Sequence, residues 1–438
     1  MKNESSRHLP YQEESASEAA TKRARTQAGR RQFLKASGAI VGAGAATAGS
    51  VLAQGTVPSG MPVPASMKSP GAAPGGDRLY GRPSTFEKKV LRKQYPGQSY
   101  TVSQVTLTPV EDLDGIITPN GLFFERHHAG VPEIDPAEHR LMLHGLVRNP
   151  LVFSMEDLRR LPSVSRIHFL ECSGNSGYTR PFGKTASALV GLVSCAEWTG
   201  VPLKILLDEA GVKPDAKWVV AEGADSAAMN RSIPLEKCLE DALVVYSQNG
   251  ERLRPEQGYP IRLLCPGFEG NMSIKWLRRL HVTDAPVHSR EETSKYTDLL
   301  PDGKARQFTF YMEAKSIITK PSGEQKISNP GFVEITGLAW SGRGKIAKVD
   351  VSVDGGRTWA PAALQEPVLS RALTRFRYPW NWNGQPAVIQ SRATDETGYV
   401  QPAFEELVAA RGETHFYHNN SVQAWRVAAT GEVSNARN

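Results

Sequence analysis

Cys172 lies where an apolar segment of the chain meets a polar turn. Residues 169–175 read Phe-Leu-Glu-Cys-Ser-Gly-Asn, and Ile167 and Phe169 alternate with polar neighbours before the cysteine. This alternation predicts a β-strand that ends at the cysteine. A thiol at the end of a strand, beside flexible backbone, can be presented to a ligand either as a nucleophile or as a metal ligand.

The neighbours of Cys172 favour the second of these roles. A nucleophilic thiol needs a nearby base, but side-chain alternation along the strand places His168 on the opposite face. A soft metal bound by a thiolate agrees better with the pattern. The alternative is a buried cysteine at a turn with no chemical role. A zinc or copper site at His127 and His128 is disfavoured, because adjacent residues of one strand point to opposite faces.

The composition is that of a globular protein with two or three folded units. The chain has 438 residues, of which 40% are hydrophobic and 22% are charged. These values exclude a collagen, a wholly disordered chain and a disulfide-rich miniprotein. The 39 glycines and 30 prolines favour β structure with many loops.

Residues 1–53 have the features of a twin-arginine export signal. Arg30 and Arg31 precede an uncharged run rich in Ala and Gly over residues 36–53, which ends in the small-residue pattern Val-Leu-Ala. The run is too weakly apolar for a stable membrane span, so we expect a periplasmic protein without one. The alternatives are a disordered basic tail and a marginal membrane anchor.

Removal of that segment changes the charge balance. It takes away eight Lys or Arg and four Asp or Glu, so the formal charge falls from +7 to +3. A chain with this charge and no basic stripe is not typical of nucleic-acid binding, and we expect no nucleic-acid partner.

The other three cysteines, Cys195, Cys238 and Cys265, lie in apolar or motif-bearing segments. The sequence has neither a C-x-x-C motif nor the C-x-x-C-H motif that attaches haem covalently. We therefore predict buried thiols at these three positions.

The pattern along the chain changes twice after the export signal. Residues 54–95 are rich in Pro, Gly, Ser and Ala and predict an extended arm. Residues 96–320 mix helix and strand signals: a capping box at Ser154 begins one helix, Gly211 ends another, and strands are predicted at 242–246, 259–265 and 273–280. Residues 321–438 carry short strands separated by turns, at 331–340, 347–353 and 385–393. The predicted fold class is an α+β domain followed by an all-β immunoglobulin-like sandwich.

Several short motifs, taken in order, resemble those of the sulfite oxidase family of molybdopterin enzymes. They are Phe124-Glu125-Arg126-His127-His128, Cys172-Ser173-Gly174-Asn175, Trp198-Thr199-Gly200-Val201-Pro202-Leu203, Gly258-Tyr259-Pro260-Ile261-Arg262, Ser273-Ile274-Lys275-Trp276 and Val351-Ser352-Val353-Asp354-Gly355-Gly356. The resemblance implies a molybdopterin-binding catalytic domain over 96–320 and a dimerisation domain over 321–438, with molybdenum–molybdopterin as the cofactor.

The resemblance also implies a role for each matched residue. Cys172 would be the molybdenum ligand, and Arg126, Tyr296 and Arg411 would complete the catalytic set. The pterin and its phosphate would be bound by Phe124, Glu125, Arg126, His127, His128, Asp225, Gln257, Arg262, Ser273, Ile274 and Lys275. The implied reaction is oxidation of reduced sulfur by oxygen-atom transfer, with the dithiolene and the thiolate as soft ligands of the metal.

Two positions depart from the family pattern. Sulfite oxidases have an arginine five residues after the metal-binding cysteine, whereas this chain has Gly177. Loss of that cation argues against free sulfite as the preferred substrate, and Arg180 is a candidate replacement. Gln257 stands in place of a pterin-binding histidine and still offers a hydrogen-bond donor.

The export signal, the Pro/Gly-rich arm and the Cys-Ser-Gly-Asn-Ser-Gly-Tyr variant at 172–178 together most resemble the bacterial sulfane dehydrogenases of periplasmic thiosulfate-oxidising systems. The resemblance implies a sulfane sulfur held on a cysteine of a carrier protein as the substrate. It also implies a c-type cytochrome subunit as electron acceptor and a homodimer of heterodimers. The alternatives are a sulfite dehydrogenase acting on free sulfite, an exported reductase of the same superfamily, and a non-catalytic secreted interaction protein.

Overall fold

Strands dominate the chain, as the alternating apolar patterns predict. The computed structural model describes residues 80–81, 83–94, 103–177, 183–412 and 416–437. The predicted export signal, most of the predicted arm and Arg180 lie outside the described residues. The architecture below is that of the unit Pro83–Asn438.

The strands fall into two groups along the chain. The first group is β1 (Lys93–Gln94), β2 (Gln104–Leu107), β3 (Glu125–His127), β4 (Arg140–Gly145), β5 (Leu151–Ser154), β6 (Val164–Glu171), β7 (Val193–Pro202), β8 (Trp218–Gly223), β9 (Asn230–Pro234), β10 (Leu243–Gln248), β11 (Glu251–Arg252), β12 (Arg262–Leu264), β13 (Leu277–Thr283), β14 (Asp298–Leu299) and β15 (Ala305–Arg306). The second group is β16 (Lys315–Lys320), β17 (Gly331–Trp340), β18 (Ile346–Ser352), β19 (Ala360–Pro361), β20 (Ala363–Gln365), β21 (Thr374–Trp382), β22 (Ala387–Asp395), β23 (Ala424–Val427) and β24 (Val433–Asn435).

The helices are short and lie between the strands. They are α1 (Met155–Arg160), α2 (Ala186–Val190), α3 (Leu203–Ala210), α4 (Leu235–Glu240), α5 (Arg290–Thr293) and α6 (Phe404–Arg411). α1 begins with the predicted capping box, since the backbone N–H of Asp157 donates to Ser154 Oγ and that of Ser154 donates to the Asp157 carboxylate. α3 ends where Gly211 takes a left-handed conformation with φ 68°, as predicted.

The first domain contains two five-stranded sheets, the three-stranded sheet β1-β2-β3, whose last strand carries Arg126, and the two-stranded sheet β14-β15. One five-stranded sheet has the order β11-β10-β7-β6, with β12 paired to β10, and the other has the order β5-β4-β13-β8-β9. Leu143, Val219 and Leu280 of the second sheet share a fully buried core with Leu263 of β12 and Leu206 of α3. The mixed α+β architecture predicted for this region is confirmed.

A two-sheet sandwich forms the second domain. Its sheets have the orders β16-β17-β21-β20 and β19-β18-β22-β23-β24. Trp340, Phe376 and Trp425 are fully buried in its core, so alternate residues of both sheets point inward. The predicted immunoglobulin-like sandwich is confirmed. In the strand pairing it begins at Lys315, ahead of the boundary predicted at residue 321.

Residues 273–276 differ from the sequence prediction, which extended a strand from 273 to 280. Here β13 begins at Leu277, and Ser273 follows a 3₁₀ turn. The Ser273 hydroxyl accepts a hydrogen bond from the Cys265 N–H, and Trp276 has a φ of 53°. The segment is tied by these contacts to the end of β12, so it does not continue the strand. The strand predicted at 259–265 is likewise shorter, Arg262–Leu264.

All four cysteines lie within the described residues and are free thiols. Cys195, Cys238 and Cys265 are buried, as predicted. Among the described residues, no helix is both long enough and apolar enough to cross a membrane.

Candidate active site

Cys172 follows β6 directly and begins a tight turn. Its N–H donates to the carbonyl of Leu192 at 3.0 Å, and its own carbonyl accepts from the N–H of Asn175 at 2.8 Å. The strand and these two bonds fix the backbone on both sides of the thiol. The side chain is partly exposed and lines two cavities, which meet at this residue. Burial raises the pKa of the Cys172 thiol, so a metal or another cation is needed to hold it as thiolate.

The inner cavity collects most of the residues singled out from the sequence. Its described lining includes the predicted residues Phe124, Arg126, His127, His128, Cys172, Asp225, Gln257, Arg262, Ser273, Ile274, Lys275 and Tyr296.

Two cations of the inner cavity contact backbone carbonyls. Arg262 donates to the carbonyls of Gln257 and Ser273, at 3.0 and 2.9 Å, and Lys275 Nζ donates to those of Arg126 and Glu256, each at 2.9 Å. Burial lowers the pKa of Arg262 to about 9. Burial, followed by the positive charge of Arg262, lowers the pKa of Lys275 to about 7. A pair of cations held in this way provides a binding place for an anion.

Tyr296, His128 and Arg126 form a chain that faces both cavities. Tyr296 Oη lies 3.4 Å from His128 Nε2, and Arg126 Nη2 lies 3.1 Å from His128 Nδ1. Burial, with the neighbouring positive charge of Arg126, lowers the pKa of His128 to about 3, so the imidazole is neutral at physiological pH. Burial also raises the pKa of Tyr296, which keeps its hydroxyl protonated as a donor.

The outer cavity leads to Cys172 from the other side. Arg126, Arg290 and Lys295 contribute positive charge to its wall, and Phe416 and Tyr417 contribute aromatic rings. Glu291 adds one carboxylate, which lies 3.4 Å from Arg290 Nη1, so the wall remains net positive. The ring centroids of Tyr417 and Tyr296 are 5.1 Å apart. An anionic ligand would be attracted to this wall.

Gly177 lies where the family's arginine is missing, and the structure leaves no space for a side chain there. A Cβ built on Gly177 would overlap the backbone carbonyl oxygen of Phe416 and lie 3.2 Å from the carbonyl oxygen of Gly174. The segment from Phe416 onward covers this turn, since the N–H of His418 donates to the Ser173 carbonyl at 2.7 Å. This position therefore cannot supply a cation to the substrate without movement of the segment.

Two of the predicted site residues are not among the described lining residues of either cavity. Glu125 is buried and accepts a hydrogen bond from Arg92 Nη1 at 3.2 Å. Arg411 ends α6, and its Nη1 lies 3.6 Å from the carboxylate of Asp298. The predicted roles of these two residues in cofactor and substrate binding therefore have no geometric support, and they remain predictions.

Sequence reasoning missed several residues that line the two cavities, among them Asn271, Arg290, Lys295, Phe416 and Tyr417. The His-Phe-Tyr-His run at 415–418 is the signal that could have found the aromatic wall, because adjacent aromatics are unusual in a polar tail. Arg290 and Lys295 both precede Tyr296 in the sequence but carry no motif of their own.

Comparisons with known proteins decide the family. The oxidoreductase molybdopterin binding domain matches residues 128–291, and the Mo-co oxidoreductase dimerisation domain matches residues 306–425. The sulfite oxidase of Gallus gallus is 33% identical over 325 residues, which are 67% of this chain and 70% of that protein. This chain belongs to the sulfite oxidase family.

Two further relatives place the chain within this family. Mitochondrial sulfite oxidase of Mus musculus is 32% identical over 66% of this chain, and the match spans 58% of the mouse protein. The crystal structure of the sulfane dehydrogenase SoxCD from Paracoccus pantotrophus is 47% identical, with a TM-score of 0.81, and the match covers 86% of this chain and 99% of that one. As a member of the sulfite oxidase family, the chain is a molybdopterin oxidoreductase whose cofactor is molybdenum–molybdopterin.

The residues of the inner cavity fit this cofactor. Within the described residues, Arg262 Nε and His127 Nδ1 are buried without a hydrogen-bond partner, so one guanidinium donor and one imidazole nitrogen are available to a polar ligand. A Cβ on Gly258 would lie 3.1 Å from atoms of both Arg262 and Lys275, and glycine keeps that approach open. The cations suit the phosphate, and the Cys172 sulfur suits a soft metal.

Proposed function

We propose that this protein is a periplasmic molybdenum oxidoreductase that oxidises a sulfane sulfur held on a cysteine of a carrier protein. The observation that carries the proposal is the 47% identity to the sulfane dehydrogenase SoxCD, over 86% of this chain and 99% of that one. Electrons would pass to a c-type cytochrome subunit, and the export signal at 1–53 would direct the protein to the periplasm. The domain match at 306–425 supports the homodimer, and each protomer would pair with one cytochrome subunit to give a homodimer of heterodimers.

The outer cavity supports a tethered substrate. Its wall includes Phe416 and Tyr417, which can contact the apolar atoms that flank a carrier cysteine. With glycine at position 177, the site has no cation at the position where sulfite oxidases have an arginine that would bind a free oxyanion. A persulfide on a peptide arm would therefore be recognised by its neighbouring atoms as well as by its charge.

Several residues of the two cavities each have a role in this proposal. The bound cofactor supplies two-electron redox chemistry and the transfer of an oxygen atom. Cys172 would hold its metal, while Arg262 and Lys275 would hold its phosphate. Arg126 would attract the sulfur anion. The Tyr296 hydroxyl would donate a hydrogen bond to an oxygen on which negative charge develops. Its raised pKa keeps the hydroxyl protonated, so it can serve as this donor.

Oxidation of free sulfite is the second candidate. The identity to the Gallus gallus sulfite oxidase favours it, and so does the position of Arg126 where the two cavities meet. The extent of the outer cavity does not favour it, because a small oxyanion would fill only a part of that cavity. The two substrates can be separated by kinetics.

The test offers three compounds to the purified holoenzyme with oxidised cytochrome c as acceptor. They are sulfite, a short peptide with a C-terminal cysteine persulfide, and the same peptide with a free thiol as control. We expect kcat/KM for the persulfide to exceed that for sulfite by about tenfold or more, which is ~1.4 kcal/mol of discrimination. A ratio in favour of sulfite would overturn the carrier-bound substrate and support the second candidate.

A further inference from the structure

Glu171 is a fully buried carboxylate immediately before the cysteine ligand. It is 0% exposed and is the last residue of β6. Its Oε1 accepts a hydrogen bond from Asn175 Nδ2 at 2.8 Å and another from Lys315 Nζ at 3.0 Å. Its Oε2 accepts from Trp340 Nε1 at 2.7 Å. Three donors thus converge on one carboxylate.

Two of these donors come from the sandwich domain. Lys315 and Trp340 are direct partners in the pairing of β16 with β17, so one pair of positions presents both donors. Lys315 is 2% exposed and Trp340 is fully buried. The third donor, Asn175, closes the turn that begins at Cys172, and its Oδ1 accepts from the Leu192 N–H at 3.2 Å. The carboxylate therefore connects the sandwich with the cysteine turn.

Packing alone does not explain a buried ion pair at this place. Replacing such a pair by apolar residues is often neutral or stabilising, so its retention points to a specific task. Glu171 is not among the described residues that line either cavity, so it cannot act by touching substrate or cofactor. What it can do is hold the turn and place a charge one residue from the thiolate.

We propose that Glu171 is a positioning residue which, held by Lys315 and Trp340, orients the Cys172 turn and sets the electrostatic potential at the bound molybdenum. In this proposal the sandwich domain, which matches a dimerisation domain, also supports the active site. Lys315 balances the Glu171 charge, so the net effect at the metal depends on both partners.

The signs of the two single substitutions are opposite. Glu171→Gln keeps the shape of the side chain and removes a negative charge, so reduction of the metal becomes easier. Lys315→Met removes the balancing positive charge and makes reduction harder. In the double variant both charges are absent, so its potential is expected to lie close to that of the wild type. The expected single shifts correspond to a change on the order of tenfold in the Mo(VI)/Mo(V) ratio at a fixed applied potential.

The experiment is a redox titration of the holoenzymes followed by the Mo(V) electron paramagnetic resonance signal, with molybdenum content measured for each. Trp340→Phe is the variant to use if Lys315→Met does not fold, because it removes one N–H donor, retains a large aromatic ring and should shift the potential in the same direction as Lys315→Met. Arg371→Met is the matched control. Arg371 bridges the domains to Asp241 and Glu240, so its loss should lower the melting temperature and leave the potential unchanged.

Unchanged potentials in Glu171→Gln and Trp340→Phe would overturn the proposal, as would shifts of the same sign in both. A shift in the Arg371→Met control as large as that of either Glu171→Gln or Lys315→Met would overturn it as well, since the effect would then reflect general destabilisation.

Discussion

Cys172, Arg126, His128 and Tyr296 line both cavities, so each can face a cofactor on one side and a substrate on the other. The adjacent residues His127 and His128 differ in this respect. His127 lines the inner cavity, whereas His128 lines both the inner and the outer cavity. The charge states follow from burial, which keeps His128 neutral and Tyr296 protonated.

Tyr296→Phe tests the hydroxyl at this junction. The substitution removes one donor aimed at the site and preserves the ring that packs against Tyr417. Loss of a donor to developing negative charge costs about 100-fold or more in kcat. Steady-state kinetics at saturating substrate measure the change. Tyr311→Phe, which lies outside both cavities, is the control and should retain its rate; equal rates for Tyr296→Phe and wild type would contradict the role given to the hydroxyl.

Lys275 predicts a pH dependence of stability in the cofactor-free protein. Its pKa is about 7 in the folded chain against an ordinary value of 10.5, so between these pH values the unfolded chain binds more protons than the folded one. The Lys275 contribution to the free energy of unfolding therefore rises as the pH increases through this window. Melting curves of the wild type and Lys275→Met, both made without cofactor, isolate the effect.

In that comparison, the wild type should gain stability relative to Lys275→Met between pH 7 and 10. The holoenzyme form of Lys275→Met should also contain less molybdopterin, because one cation for the phosphate is gone. Parallel stability curves for the two proteins, together with equal cofactor contents, would contradict the assignment of Lys275 to an anion.

Among the elements, the segment after Phe416 determines the shape of the outer cavity. It is fixed by the bond from the His418 N–H to Ser173 and by Asn419 Nδ2, which donates to the Ser176 carbonyl at 3.3 Å. The aromatic wall is thus attached to the same turn that presents Cys172. The turn and the wall should respond together to any change at their contact.

Gly177→Ala probes that contact. The new methyl group would overlap the Phe416 carbonyl, so the segment must shift, at a cost of about 1–3 kcal/mol in stability. We expect a lower melting temperature and a lower kcat/KM in the same variant. Gly121→Ala is the control, because its Cβ would meet only the end of the flexible Arg254 side chain at 3.3 Å. A Gly177→Ala protein with wild-type stability and kinetics would show that the segment does not pack as described.

The elements also show what the sequence could predict and why the rest was missed. The start of α1 at Ser154 and the end of α3 at Gly211 have local causes, a capping box and a left-handed residue, so both were predicted. The contact of Phe416 with Gly177 joins distant parts of the chain and leaves no periodic pattern. Ser273 was assigned to a strand because its neighbours are apolar, while its actual bonds are to the end of β12.

At the scale of the whole molecule, the two domains share a core around the cysteine strand. Phe169 of β6 and Leu189 of α2 belong to the same buried cluster as Trp340 and Phe376 of the sandwich. The sandwich therefore supports the strand that ends at Cys172, which agrees with the proposed role of Glu171. The resemblance of the separate motifs predicted two domains but could not predict this shared core, because it depends on tertiary contacts.

The assembly is a prediction at the same scale. The dimerisation domain match at 306–425 leads us to expect a particle with twice the mass of one protomer when the chain is purified alone. Light scattering coupled to size-exclusion chromatography measures this mass at micromolar concentration. A monomer at the highest soluble concentration would contradict the predicted homodimer.

The most direct test of the account is molybdenum X-ray absorption on the purified holoenzyme and on Cys172→Ser. We expect three sulfur ligands in the wild type, two from the dithiolene and one from Cys172, and only two in the variant. We also expect a loss of turnover of at least about 100-fold, since removing even an outer partner of a metal ligand costs 10–100-fold. Cys238→Ser, which alters a buried thiol elsewhere, should retain all three. A Cys172→Ser protein that still shows three sulfur ligands and full turnover would contradict the central claim.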